Sequence, residues 1–142
     1  MALIAERTNF FLATIDSAFS SYEPGDGGIE SAIRAAMTAL FHEESLLLLA
    51  AERELGGLGQ RDPVVAAELI RGVARLVEAI AQFGLSIELG PDLAELRARA
   101  GSMIAATFGQ VEIWICSGGG DPLPHREAAI RSSRAIVLEG LQ

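Results

Sequence analysis

Residues 91–117 read PDLAELRARAGSMIAATFGQVEIWICS, and the fold follows from how this stretch divides into faces. At ~100° per residue, from 3.6 residues per turn, one face carries Leu93, Leu96, Ala100, Met103, Ile104, Thr107, Phe108, Val111, Trp114 and Ile115. A strip roughly opposite carries Ala94, Ala98, Gly101, Ala105, Gly109, Glu112 and Cys116. A helix apolar on two sides has more to bury than one small domain offers, so a second copy of the chain is the expected remedy. Small side chains let another helix come close. Glycine inside a helix costs ~1 kcal/mol relative to alanine, so Gly101 and Gly109 are read as demanded by packing.

Downstream, Gly118-Gly119-Gly120-Asp121-Pro122 breaks the helix, and a further helical pattern runs from Pro124 to Gly140. It mixes small residues (Ala128, Ala129, Ser132, Ser133, Ala135) with large ones (Ile130, Ile136, Val137, Leu138), offering a second surface for close packing.

Upstream the period is helical throughout. In residues 3–21, Ile4, Phe11, Ile15, Ala18 and Phe19 share a face, with Asn9, Ala13, Asp16 and Ser20 opposite. The segment Glu23-Pro24-Gly25-Asp26-Gly27-Gly28 is a loop by composition. Residues 29–44 resume the helix on an Ile29, Ile33, Ala36, Met37, Leu40 stripe. Residues 45–55 form another helix, apolar all round at Leu46–Leu49 and so read as short, central and buried, with Gly56-Gly57-Leu58-Gly59 ending it. Asp62 then caps, and Pro63 opens, the cleanest amphipathic helix of the chain. Its apolar stripe is Ala66, Leu69, Val73, Leu76, Ile80 and Phe83, and Gly84 is read as its end.

The 142 residues suit one all-α domain of about six helices with a real core. Half the residues are apolar and the mean hydropathy is +0.33. Charges nevertheless interrupt every stretch before a membrane span's ~20 residues is reached, and no signal peptide is visible. The net charge of −8, with no basic cluster, opposes binding to a phosphate backbone. Cys116 is the only cysteine, so no intrachain disulfide can form and a cytoplasmic location is expected.

Catalytic and metal patterns are missing. His42-Glu43 lacks the second histidine of a zinc-protease helix, and two histidines with one cysteine do not make a structural zinc site. The triple glycine has no following lysine and carries Asp121, so it reads as a turn rather than a phosphate loop. Adjacent Glu43 and Glu44 point ~100° apart on a helix. An enzyme is not expected, and neither is a cofactor. Glu112 and Gln110 stand out because they sit in the apolar half of the long helix. A carboxylate there needs a partner: an arginine such as Arg126 or Arg134 across an interface, a ligand in a cavity, or solvent at a bundle edge.

The order of these elements resembles the C-terminal domain of TetR-family transcriptional regulators. The likeness rests on Pro91-Asp92-Leu93-Ala94-Glu95-Leu96, the long small-residue helix to Trp114, the turn at Ser117–Leu123 and a last helix ending Leu138-Glu139-Gly140-Leu141. Asp62-Pro63-Val64-Val65 and a first helix like the one linking reading head to body also fit. The family's helix-turn-helix head has no counterpart here, so operator DNA binding is implied only through a parent protein's N-terminal domain.

The resemblance implies an orthogonal helical bundle whose last two helices build a four-helix homodimer interface. Gly101, Ala105, Gly109, Glu112, Cys116, Ala129, Ser133, Ile136 and Val137 are its expected members. It also implies a cavity for a small hydrophobic effector, which the resemblance together with helix-face geometry places at Phe11, Ile15, Met37, Phe41, Phe83, Met103 and Thr107. Such an effector releases DNA in the intact regulator. The alternative is a headless helical protein that acts by homo- or heterodimerisation, without DNA binding of its own.

Overall fold

The structure, a computed structural model, describes residues 2–25 and 27–139. Six helices are packed together: α1 (Ala2–Ser20), α2 (Gly28–Leu40), α3 (Glu43–Gly59), α4 (Pro63–Ser86), α5 (Leu93–Cys116) and α6 (Leu123–Glu139). Among the described residues there are no strands, and no helix is long and apolar enough to cross a membrane.

The packing order closes a ring. α1 lies on α4, α4 on α5, α5 on α6, α6 on α2, and α2 back on α1. α3 packs on α4, α5 and α2, closing one end of the ring. The interior holds Phe11 and Ile15 of α1, Ile33 and Met37 of α2, Leu46 and Leu49 of α3, Leu76 of α4, Val111 of α5, and Ile130 and Val137 of α6. Burying each such side chain contributes ~1.5–3 kcal/mol.

Local chemistry sets most boundaries as expected. The Asp62 carboxylate accepts from Val64 N, and that of Asp92 from Ala94 N, each at 2.9 Å, so both long helices start on a side-chain cap. Gly118, Gly119 and Gly120 have φ of 86°, 80° and 104°. That run of left-handed backbone strongly favours glycine. Backbone bonds from Gly119 N to Trp114 O (3.0 Å) and the indole bond from Trp114 Nε1 to Gly120 O (3.1 Å) fold the turn onto the end of α5.

Three expectations are corrected. α2 stops at Leu40, and Phe41-His42 is the corner before α3, so residues 29–44 are not one helix. α3 runs on through Gly56 and Gly57 to Gly59, because its real terminator is Asp62-Pro63: the proline ring disfavours helix in the residue before it. Gly84 does not end α4, which continues to Ser86. It is buried where α4 crosses α5, and a methyl group there would stand 3.4 Å from Leu96 Cδ2. The turn out of α4 instead uses Glu88 at φ 62°.

α3 is also not buried all round. Leu46 and Leu49 are 2% and 4% exposed, whereas Leu47 is 64% exposed. A helix closing the end of a ring has one inner face only.

Candidate functional site

Two apolar chambers, each partly open to the surface, occupy the ring. The first measures about 70 Å³ and is lined by Phe11 and Ile15 of α1, Met37 of α2, Leu49 of α3, Leu76 of α4, and Met103, Ile104, Thr107 and Phe108 of α5, among others. The second, about 60 Å³, lies toward the end of α4 and is lined by Phe83, Ile87, Leu96, Arg99 and Val137, among others. Phe19, Ile33, Ile80 and Met103 belong to both, so one four-residue wall separates them.

Each helix reaches the chambers through its periodic stripe. On α1, positions 11, 15 and 19 are one turn apart and project inward, while Asn9, Asp16 and Ser20 face solvent. On α5, Met103 and Thr107 are likewise one turn apart. Thr107 is the only polar side chain lining the first chamber. It is buried, its hydroxyl donates to Met103 O at 2.8 Å, and it stands 3.7 Å from Met37 Sδ. Its free lone pairs leave it able to accept one hydrogen bond from a guest. Beside the second chamber, Phe19 and Phe83 stack with centroids 4.0 Å apart, and Tyr22 meets Phe83 edge-on at 5.6 Å.

Of the seven residues expected to line a cavity, Phe11, Ile15, Met37, Met103 and Thr107 meet around the first chamber. Phe83 lines the second. Phe41 lines neither; it is buried at the α2–α3 corner, where it fills core. Phe19, Ile33, Ile80 and Phe108 were missed as cavity residues, although each lay on a stripe visible in the sequence. Arg99 was missed for another reason: periodicity places an arginine on a polar face, and nothing in the spacing shows that its stem would cover a chamber.

The expected interface residues divide between surface and interior. On α5, Ala105, Gly109 and Cys116 are exposed and Gly101 and Glu112 half-buried. A methyl group at Gly101 or Gly109 would meet nothing within 4 Å. Ile113 beside this strip is 53% exposed. On α6, by contrast, Ala129 and Ser133 are completely buried and Val137 nearly so, within the single chain. These three are corrected from surface to interior positions: their small side chains seat α6 against its own neighbours, α5 and α2. Ile136 remains half-buried. Ser133 Oγ and Arg126 Nε are buried and have no hydrogen-bond partner among the described residues.

Polar residues of α5 find partners inside the chain. Glu112 pairs with Arg53 of α3 at 2.9 Å, not with Arg126 or Arg134. Those two arginines lie near Glu127 (3.1 Å) and Glu30 (3.9 Å). Cys116 Sγ stands 3.6 Å from Glu112 Oε1, and Gln110 Oε1 lies 3.4 Å from His125 Nδ1.

The strongest electrostatic tie is between α4 and α5. Arg97 donates Nε and Nη2 to the two carboxylate oxygens of Glu78, at 2.8 and 3.0 Å. With Gln82 also donating, this lowers the Glu78 pKa to about 2 and raises that of Arg97. Arg34, then Arg126, similarly hold the Glu127 carboxyl below the usual range. All three groups are solvent-exposed, where ion pairs contribute little.

Among the described residues no group of three His, Cys, Asp or Glu side chains converges as a metal site would require. In comparisons with family models, curated proteins and solved structures, nothing matches this chain.

Proposed function

We propose that this chain is the effector-binding and dimerisation domain of a TetR-like transcriptional regulator, with DNA binding residing in a helix-turn-helix domain of the parent protein. The observation that carries the reading is the first chamber. It is formed by five helices, apolar but for one threonine, and lined by residues from α1, the helix expected to lead toward a reading head. Small-molecule sites are concave and mostly apolar with a few placed polar groups, and methionine and phenylalanine walls adapt to a guest. A guest filling the chamber pushes α1 relative to α4 and α5. It switches DNA binding only if it fits one head spacing better than the other.

The Gly101–Ala105–Gly109 strip of α5, half-buried at Gly101 and exposed at Ala105 and Gly109, supports the second half of the proposal, close contact with the same strip of a second copy. The strip also serves the runner-up reading, a helical protein that acts by pairing with other chains.

Thermal unfolding of the purified chain against neutral apolar probes (toluene, camphor, decanol) tests the effector site. A probe at a hundredfold its Kd adds about 2.7 kcal/mol, a shift of roughly 10 °C for a chain of this size. No shift from any probe would overturn the effector site. Sedimentation reads the dimer separately.

A further inference from the structure

We infer that the two chambers form one continuous site for a linear monocarboxylic acid of about ten carbons, its carboxylate on Arg99 and its tail end at Thr107. The inference rests on the reading of the chambers as an effector site and names the ligand class.

Three observations combine. Among the described residues Arg99 is the only charged side chain lining either chamber. Its side chain is only 17% exposed, so its stem is sunk against the second chamber while its guanidinium reaches out to Glu95. Its one ion-pair partner is Glu95, at 2.5 Å and 59% exposed, which engages a single nitrogen. Guanidinium carries five N–H donors and binds carboxylates bidentately, so an incoming carboxylate can use the remainder or displace Glu95 from its solvent-facing position.

Length follows from the helix. Arg99, Met103 and Thr107 are spaced one turn apart along α5. Eight residues of α-helix rise ~12 Å, which an extended chain of about ten carbons spans. The wall between the chambers must part and the lining must give, since each chamber, and even the two joined, is smaller than the ~150 Å³ cavity that takes a benzene. Met103 sits in that wall, and its three rotatable bonds let it swing aside at little cost. A ring system would not thread two chambers joined end to end; a linear chain would.

Titration calorimetry of the intact chain with decanoate and with decanol tests this. Decanoate should bind at least tenfold more tightly than decanol. Arg99→Gln should abolish that preference while leaving decanol unchanged, and Arg99→Lys should restore part of it. Glu95→Gln, which removes the competing carboxylate without touching the chamber, should tighten decanoate severalfold. Equal affinities for acid and alcohol in the parent chain, or a decanoate preference that survives Arg99→Gln, would overturn the assignment of the head group and leave the effector site standing. If neither ten-carbon chain bound but toluene or camphor did, the linear-chain inference alone would fall. If nothing apolar bound, both would.

Discussion

Thr8 Oγ1 on α1 occupies the space a side chain on Gly72 of α4 would need: a methyl group there would stand 2.7 Å from it. Both residues are buried, and the contact sets how closely α1 rides on α4, hence the width of the chamber behind them. Gly72→Ala gains ~1 kcal/mol of helix propensity but overpacks a site bounded by a stiff β-branched neighbour, at ~1–3 kcal/mol. The expected result is a net loss of up to ~2 kcal/mol in denaturant unfolding. Adding Thr8→Ala should recover most of it, whereas Thr8→Val, which keeps the bulk, should not. Additive single mutants would remove this contact as the spacer.

Met103 and Phe41 should respond oppositely in ligand binding. Met103→Trp fills the wall shared by both chambers and should abolish the thermal shift given by apolar probes. Phe41→Leu lowers stability through its core position, by ~1–2 kcal/mol, but should leave probe affinity within twofold. The reverse pattern would place the site at the α2–α3 corner instead.

Gly109 reports on the α5 strip. In an isolated chain a Cβ added at Gly109 meets nothing within 4 Å, so Gly109→Leu starts into open space and gains up to ~1 kcal/mol of helix propensity. Against a closely packed second copy the same side chain clashes. Sedimentation equilibrium should therefore show a dimer for the parent chain and a monomer for Gly109→Leu, with the monomer's unfolding temperature held or raised. A dimer unaffected by the substitution would place the interface elsewhere.

The Glu78–Arg97 bridge predicts an acid-range signature. The folded pKa of Glu78, about 2, lies below its ordinary value of 4.5. The folded state therefore favours the ionised form, and stability is fully present above the ordinary value and lost as pH falls toward 2. Glu78→Gln should lower stability slightly at pH 7 and flatten the decline between pH 5 and pH 2. An identical pH profile in the two proteins would mean the bridge does not form in solution.

Much of this was legible in the chain because helix faces obey a fixed angle. The inward set on α5, the small strip opposite it and the cap at Asp62 all follow from 3.6 residues per turn and local capping chemistry, whereas the seven cavity positions rest on helix faces together with the family resemblance, and five of them line the first chamber. What failed had non-local causes. Gly84 reads as a stop signal, but it serves a helix crossing, which depends on where Leu96 comes to lie. Leu46–Leu49 reads as buried all round, but a helix that closes one end of a ring hides one face only.

Glu112, Ala129 and Ser133 mark the boundary most clearly. By sequence alone the chain determined that it is helical, where the helices begin, and that α5 has a bulky and a small face, because these depend on each residue and its near neighbours. Only the tertiary structure decided that α6 turns its small residues into its own subunit, that Glu112 meets Arg53, and that Arg99 covers a chamber. Those outcomes depend on which helix lies opposite, and periodicity states which side of a helix faces a partner without saying which helix that partner is.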